Sequence, residues 1–289
     1  GERVPGDWGG IAIVGNATTN LSQPAETEAP PPYAERYTGG TNDDDDSGIL
    51  RYVRIEFAGR AGEAGHLQNA LTMLAVGRGT TIEYVQVIAA LNDSFKRFGG
   101  TVDGRYLVSY EVGDDHFDAS QGYRGRNQFL VALRTRRIEP SPGGTQSAGN
   151  ALAFELDGCE PDFPPCAPRR RPANVPVFAN FSIVDTRPDF SQGWSGGAQF
   201  RDESGGVLVN GTIVNVRAGS FAKRAIAASA AANASTSGGK HWQKSESTCF
   251  PSGARVGSTV VWLAASIQGA SAGRPARASA AARSRSSSV

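Results

Sequence analysis

Along most of this chain, apolar and polar residues alternate in short bursts. The bursts are Leu50 to Phe57, Thr81 to Val87, Arg105 to Tyr110, Asn127 to Leu133, Val177 to Val184 and Val207 to Val216. Period-two alternation turns one side of a strand inward and the other toward water, so each burst predicts a half-buried strand. An earlier run, Trp8-Gly9-Gly10-Ile11-Ala12-Ile13-Val14, also reads as a strand. Nothing between the bursts has helical spacing of apolar residues.

The bursts keep a register. Val85 to Val108 is 23 residues and Val108 to Leu130 is 22. That period is too short for a propeller blade, and the leucine-rich consensus is not met, so one coil of a parallel β-helix is the fitting unit. In such a solenoid each coil stacks its strands on the next, and inward side chains fill a continuous core. Glycine and asparagine punctuate the coils at Gly99-Gly100, Gly104, Gly113, Gly122, Gly125, Gly205-Gly206 and Asn210-Gly211, where corners need φ > 0.

Three stretches interrupt the period. Ala58 to Asn69 and the Pro/Gly/Cys/Arg stretch Glu139 to Pro176 read as insertions. Asn20 to Ser47, with Pro30-Pro31-Pro32 and Asp43-Asp44-Asp45-Asp46, reads as a long excursion whose acidic run is expected to stay hydrated. From about Ala222 alanine, serine and arginine take over. The predicted division is a right-handed parallel β-helix over 1–221 and a low-complexity tail over 222–289, which cannot bury enough apolar surface to offset its ordering entropy. The break is abrupt, so a shifted reading frame is the other account of the tail.

Composition narrows the class. The net charge of +1 gives no reason to expect nucleic acid or an anionic membrane as partner. No run approaches about 18 apolar residues, so no transmembrane segment is expected. Thirty-six glycines and a single methionine suit an all-β protein with many turns. Cys159 and Cys166 bracket a proline-rich loop; they close a small disulfide in an exporting compartment, or stay two free thiols. The chain begins at Gly1 and enters a strand almost at once, as a processed or truncated piece would.

The densest chemistry lies in Gly113-Asp114-Asp115-His116-Phe117-Asp118. Asp93 precedes Asp115 by 22 residues, one coil period, which places the two on neighbouring coils roughly 4.8 Å apart. Carboxylates packed so closely repel unless a cation sits among them, and a hard divalent ion with oxygen ligands, Ca2+ above all, meets that need. The candidate ligands are Asp93, Asp114, Asp115 and Asp118. The competing account is that these residues cap turns through their backbone. His116 reads as a general acid or, more simply, as a surface turn histidine. Tyr106, Tyr110, Tyr123, Phe95 and Phe98 form a sugar-stacking platform or fill the coil interior.

Gly6-Asp7-Trp8-Gly9-Gly10-Ile11, Leu50 through Gly59, and Gly79 through Phe129, with Phe98-Gly99-Gly100-Thr101-Val102 and Gly122-Tyr123-Arg124-Gly125-Arg126-Asn127-Gln128-Phe129, resemble bacterial secreted or outer-surface proteins of the right-handed parallel β-helix type, in the pectate-lyase-like superfamily, often lipoproteins. The resemblance covers roughly residues 4 to 217. It implies export to the outer cell surface and earlier coils with a cap ahead of Gly1. Asp93 followed by Asp114, Asp115 and Asp118 also resembles the calcium site of family-nine polysaccharide lyases. Those lyases use a lysine base further along, and this chain has no lysine between Lys96 and Lys223. Arginine is the base in other β-helix lyases, which makes Arg124 and Arg126 the nearest catalytic candidates; the alternative is that both ion-pair with the acidic cluster. Tyr123, Arg124 and His116 are the candidate substrate contacts.

Three functions stand on these residues: an exported, non-catalytic surface protein that binds calcium and a glycan; a calcium-dependent lyase cleaving uronic-acid polysaccharide by β-elimination; and a structural element of the cell envelope.

Overall fold

The computed structural model describes residues 2–29, 34–60, 68–138, 151–158, 171–186 and 196–214, with the backbone strands 218–222, 227–235 and 243–244 beyond them. Cys159, Cys166, Cys249 and the whole of the tail past 244 lie outside the described residues.

The chain winds into a right-handed parallel β-helix whose coils each give one long and one short strand. The long strands are β4 (Ile49–Glu56), β6 (Thr81–Ile88), β8 (Gly104–Tyr110), β10 (Arg126–Arg134), β12 (Val177–Asp185), β14 (Gly205–Val214) and β16 (Ala227–Ser235). They form one parallel sheet in the order β16-β14-β12-β10-β8-β6-β4. The short strands are β1 (Ile11–Val14), β5 (Leu71–Leu74), β7 (Phe95–Phe98), β9 (Phe117–Ser120), β11 (Leu152–Asp157), β13 (Gly196–Arg201), β15 (Ala218–Ala222) and β17 (Gln243–Lys244), in a second parallel sheet running from β1 to β17. Each predicted burst is a long strand. The short strands carry no alternation because both of their sides are covered: Phe95-Lys96-Arg97-Phe98 is buried throughout, as is Phe117-Asp118-Ala119-Ser120. Glu139 to Pro176 is not wholly an insertion, since β11 lies inside it and joins the ladder between β9 and β13. The ladder likewise runs past 221, where β16 pairs with β14 and β17 with β15.

Inward side chains stack coil on coil. Phe117 lies between Phe95 and Phe154 with centroids 5.5 and 5.6 Å away, and Phe178 tilts against it at 6.2 Å. Arg97 is buried among Phe95, Tyr123 and Phe178, its guanidinium carbon 5.6–5.9 Å from each ring centre. Its Nη2 donates to Asn127 Oδ1 at 2.9 Å. Burial pulls this guanidinium below its ordinary value, while Tyr123 and Asp118 pull it back up.

The long strands β4, β6, β8, β10, β12 and β14 each bend at a residue in the left-handed region: Tyr52, Tyr84, Tyr106, Phe129, Asn180 and Asn210, with φ between 51° and 61°. Left-handed backbone costs a non-glycine residue roughly 1–2 kcal/mol. Contacts along the corner offset that cost. Four rings stack at 4.7, 4.5 and 4.8 Å, and Asn210 Nδ2 donates to Asn180 Oδ1 at 2.5 Å.

The excursion lies against the short-strand sheet. Its strands β2 (Ala25–Glu26) and β3 (Arg36–Tyr37) pair antiparallel, and Leu21, Ala25 and Tyr37 pack with Leu74 and Phe98 in a cluster of their own. Within the acidic run Asp44 and Asp46 stay exposed as expected, whereas Asp43 and Asp45 are half-buried and docked. Asp43 Oδ1 accepts from Thr18 N–H (3.1 Å) and Oγ1–H (2.7 Å), and Asp43 Oδ2 meets Arg124 Nη2 at 2.8 Å. Thr101 Oγ1 donates to the Asp43 carbonyl at 2.6 Å, and Ser47 Oγ to Asp45 Oδ2 at 2.8 Å. Burial raises the Asp43 carboxyl, but the Thr18 hydrogen bonds and then the charges of Arg124 and Arg78 outweigh it, so the net displacement is downward. A lowered carboxyl stabilises the fold above its ordinary value of 3.8 and loses that contribution as pH falls through the folded value. Asp43→Ala removes charge-assisted hydrogen bonds and is expected to cost about 1.5–3 kcal/mol, read from urea unfolding at neutral pH, with the deficit shrinking in acid.

Candidate metal centre

Asp93 and Asp115 stand two residues before β7 and β9, one coil apart. Gly113 permits the close stacking: a Cβ there would meet the Leu91 carbonyl oxygen at 2.0 Å. Its N–H instead donates to Ala90 O at 2.9 Å, which sets the two turns in register. Each aspartate then reaches the next coil. Asp93 Oδ1 accepts from Asp115 N–H at 3.1 Å, and Asp115 Oδ1 from Leu152 N–H at 2.5 Å. The turn-capping account is therefore part of what these two carboxylates do.

Asp118 lies in β9 in a ladder with Lys96 of β7 and Glu155 of β11. Oxygens of Asp93, Asp115 and Asp118 all lie within 4.8 Å of one another, on side chains 4, 3 and 1% exposed. Asp114 is half-buried and outside this trio; its backbone carbonyl accepts from Arg134 Nη2.

The cluster also gathers residues that the sequence reading did not single out. Lys96 Nζ meets Asp118 Oδ2 at 2.5 Å with both side chains buried. Arg201 bridges Glu155 Oε1 at 3.0 Å and Asp157 Oδ1 at 2.6 Å. A signal for the ladder existed, for phenylalanine is followed by a charge in Phe95-Lys96, Phe117-Asp118 and Phe154-Glu155. Among the described residues, five carboxylates, Asp93, Asp115, Asp118, Glu155 and Asp157, thus face the cations Lys96 and Arg201, with Arg97 also in electrostatic reach of Asp118. The excess appears in the proton affinities. Burial, then the Asp118 charge, pushes Asp93 well above the usual carboxylate range. Burial, then Glu155, does the same to Asp115. Glu155 rises to about 9 through burial and the charges of Asp118 and Asp157, against the pull of Arg201 and Lys96.

The donor set suits a hard cation. Ligands on opposite sides of a calcium ion, each about 2.4 Å from it, are about 4.8 Å apart, the span within which the three carboxylates fall. Backbone carbonyls and water are needed to complete six to eight ligands.

The remaining candidates lie elsewhere. His116 is buried, not on a surface turn; its Nδ1 is 2.6 Å from Ser109 Oγ, which is 2.5 Å from Ser94 Oγ. Tyr123 is fully buried and donates its hydroxyl to Val102 O at 2.6 Å, so its ring faces the core. Phe95 is in the core stack and Phe98 under the excursion. Tyr106 belongs to the outer ring stack, and Tyr110 is half-buried in β8. Arg124 pairs with Asp43, and Arg126 with Asp103 at 2.7 Å, in place of the expected pairing with the acidic cluster. The hydrogen bond and charge of Asp103 raise Arg126 above its ordinary value, the reverse of what a general base requires.

Residues 1–156 match the pectate-lyase-like β-helix domain family, and the chain belongs to that family. No curated protein and no solved structure matches it. No helix among the described residues is long and apolar enough to cross a membrane.

Proposed function

We propose that this is an exported, non-catalytic β-helix protein whose Asp93–Asp115–Asp118 cluster holds one Ca2+ that pins neighbouring coils together. The observation that carries this reading is the charge imbalance: five carboxylates around the three cations Lys96, Arg201 and Arg97, with Asp93, Asp115, Asp118 and Lys96 buried. Asp93, Asp115 and Asp118 would be the protein ligands, with Lys96 as the resident counter-charge that an entering ion must displace from Asp118. A dication supplies there the positive charge that protons otherwise provide. Burial favours a structural ion over one that bridges to substrate. Extracellular calcium modules work at about 10⁻⁴–10⁻³ M, and a site that opposes an internal lysine belongs in that weak range.

The lyase reading has less support, because a uronate cannot reach a covered ion and neither arginine is placed as a base. A glycan ligand draws on the outer ring stack alone, whose rings mostly turn their faces to one another.

Calorimetric titration of chelator-treated protein tests the proposal. One Ca2+ is expected to bind, with Mg2+ much weaker and Asp118→Asn lowering the affinity about tenfold or more. Absence of heat, together with an unchanged melting temperature in millimolar Ca2+, removes the metal. Release of unsaturated uronides, seen as new ultraviolet absorbance, promotes the lyase instead.

A further inference from the structure

Lys96 and Asp118 are opposite one another in the ladder of short strands, on β7 and β9. Lys96 Nζ lies 2.5 Å from Asp118 Oδ2, and the two side chains are 7 and 1% exposed. The ammonium is also 4.9 Å from the ring centre of Phe98, which is buried with Leu21, Ala25, Tyr37 and Leu74 under the excursion. Glu155 of β11 is the next rung, opposite Asp118, with its side chain 16% exposed. An amine, a carboxyl and a second carboxyl thus stand in one row, each held by the backbone of a successive coil.

Two features set Lys96–Asp118 apart from pairs such as Arg134–Asp185 and Arg201–Asp157. Its cation is an amine, which becomes a nucleophile once it gives up a proton, whereas a guanidinium stays protonated. Its reacting atoms are also already close. A carboxyl carbon lies about 1.2 Å from its oxygen, so Asp118 Cγ is at most about 3.7 Å from Nζ, beside the near-attack range of about 3–3.5 Å. Groups so oriented reach effective molarities of about 10⁵–10⁸ M. A buried ion pair gives up the hydration of both its charges, and an amide carries neither charge.

We infer that Lys96 and Asp118 condense into an intramolecular isopeptide bond that staples the β7 coil to the β9 coil, with Glu155 as the proton relay. A proton passes from Nζ to Oδ2, and the freed lone pair attacks Cγ. The Glu155 carboxylate takes a second proton from the nitrogen and hands it to Oδ2, which departs as water while the carbonyl reforms. One N–C bond forms, one C–O bond breaks, and nothing is oxidised or reduced. The inference does not rest on the calcium reading. The bond removes one charge of each sign, so the carboxylate excess is unchanged, but an ion bound first at Asp118 would hold Lys96 away. Bond formation is therefore read on protein produced and purified in chelator, and calcium binding by calorimetry.

Intact-mass spectrometry of the whole chain under denaturing conditions is the test. The chain is expected to be one water lighter than its sequence, and a tryptic digest is expected to show peptide 79–97, uncut after Lys96, joined to peptide 106–124. Lys96→Arg, which keeps the ion pair and lacks the amine, is expected at full mass with the two peptides separate. Glu155→Ala is expected to lower the joined fraction about tenfold or more; an unchanged fraction removes Glu155 as the relay. The unaltered chain decides the main point whether or not a variant folds. Full mass with cleavage after Lys96 overturns the inference, and so does a lost water confined to one linear peptide, as an aspartyl succinimide would leave it.

Discussion

Phe117→Ala is expected to destabilise the protein by about 3–5 kcal/mol. Few single changes in this chain should cost more. Phe117 is fully buried and touches the rings of three other coil strands, Phe95, Phe154 and Phe178. Removing its ring takes away the transfer energy of a large side chain and leaves a void that neighbours held by their own backbone ladders cannot collapse into. A domain with a total stability of about 5–15 kcal/mol does not absorb such a loss quietly. Because coils contact only their neighbours, the damage should concentrate on β7, β9 and β11. Hydrogen exchange should therefore report lost protection there first, while β4 and β6 keep theirs. Phe117→Leu, which refills much of the space, should cost clearly less. A loss under about 1 kcal/mol for the alanine variant would mean that the rings do not form a continuous stack.

The long strands were legible because each has a wet side, and alternation is the record of that difference. Leu50 to Phe57 and β4, or Asn127 to Leu133 and β10, differ only by a residue or two at their ends. The short strands were not legible, because the excursion and the charged ladder cover their outer side, and a covered side leaves no polar alternation. That also explains His116 and Tyr123. Their burial depends on segments distant in sequence, which local pattern does not contain. Asp93 and Asp115 were found through the coil period, and the structure does bring them together with Asp118. Glu155 escaped because residues 139–150 break the period between β10 and β11. In the sequence Lys96 stands out only as the last lysine before a long gap, whereas its register beside Asp118 makes it the first cation of the cluster. In Asp43-Asp44-Asp45-Asp46 the solvated reading holds for Asp44 and Asp46 and misses the docking of Asp43, because composition does not show its partners Thr18, Thr101 and Arg124 in distant segments.

Without calcium, the protein is expected to lose stability as pH rises from about 5 to 9, and with saturating Ca2+ that loss should largely vanish. The sign follows from the direction of the shifts. Asp93, Asp115 and Glu155 hold their protons more tightly in the folded chain than in the unfolded one. Between the unfolded values, 3.8 for aspartate and 4.5 for glutamate, and the raised folded values, the native state binds more protons, so stability falls as pH climbs through that window. For Glu155, moved from 4.5 to about 9, the effect is at most about 6 kcal/mol, at about 1.4 kcal/mol per pH unit. Its neighbours share in it, since ionising one carboxyl raises the cost of ionising the next. A bound dication replaces the protons as the source of positive charge and allows the same carboxyls to ionise. The stabilisation by calcium, taken as the difference in melting temperature with metal and with chelator, should therefore grow with pH. It should be small near pH 5, where protons already neutralise the cluster, and largest near pH 9. Asp115→Asn should flatten the pH dependence of the metal-free protein and abolish the calcium increment together. If the metal-free protein instead becomes more stable with rising pH, Lys96 and Arg201 already balance the carboxylates and there is no deficit for a metal to fill. If the pH slopes with and without Ca2+ coincide, the deficit is real but protons alone meet it.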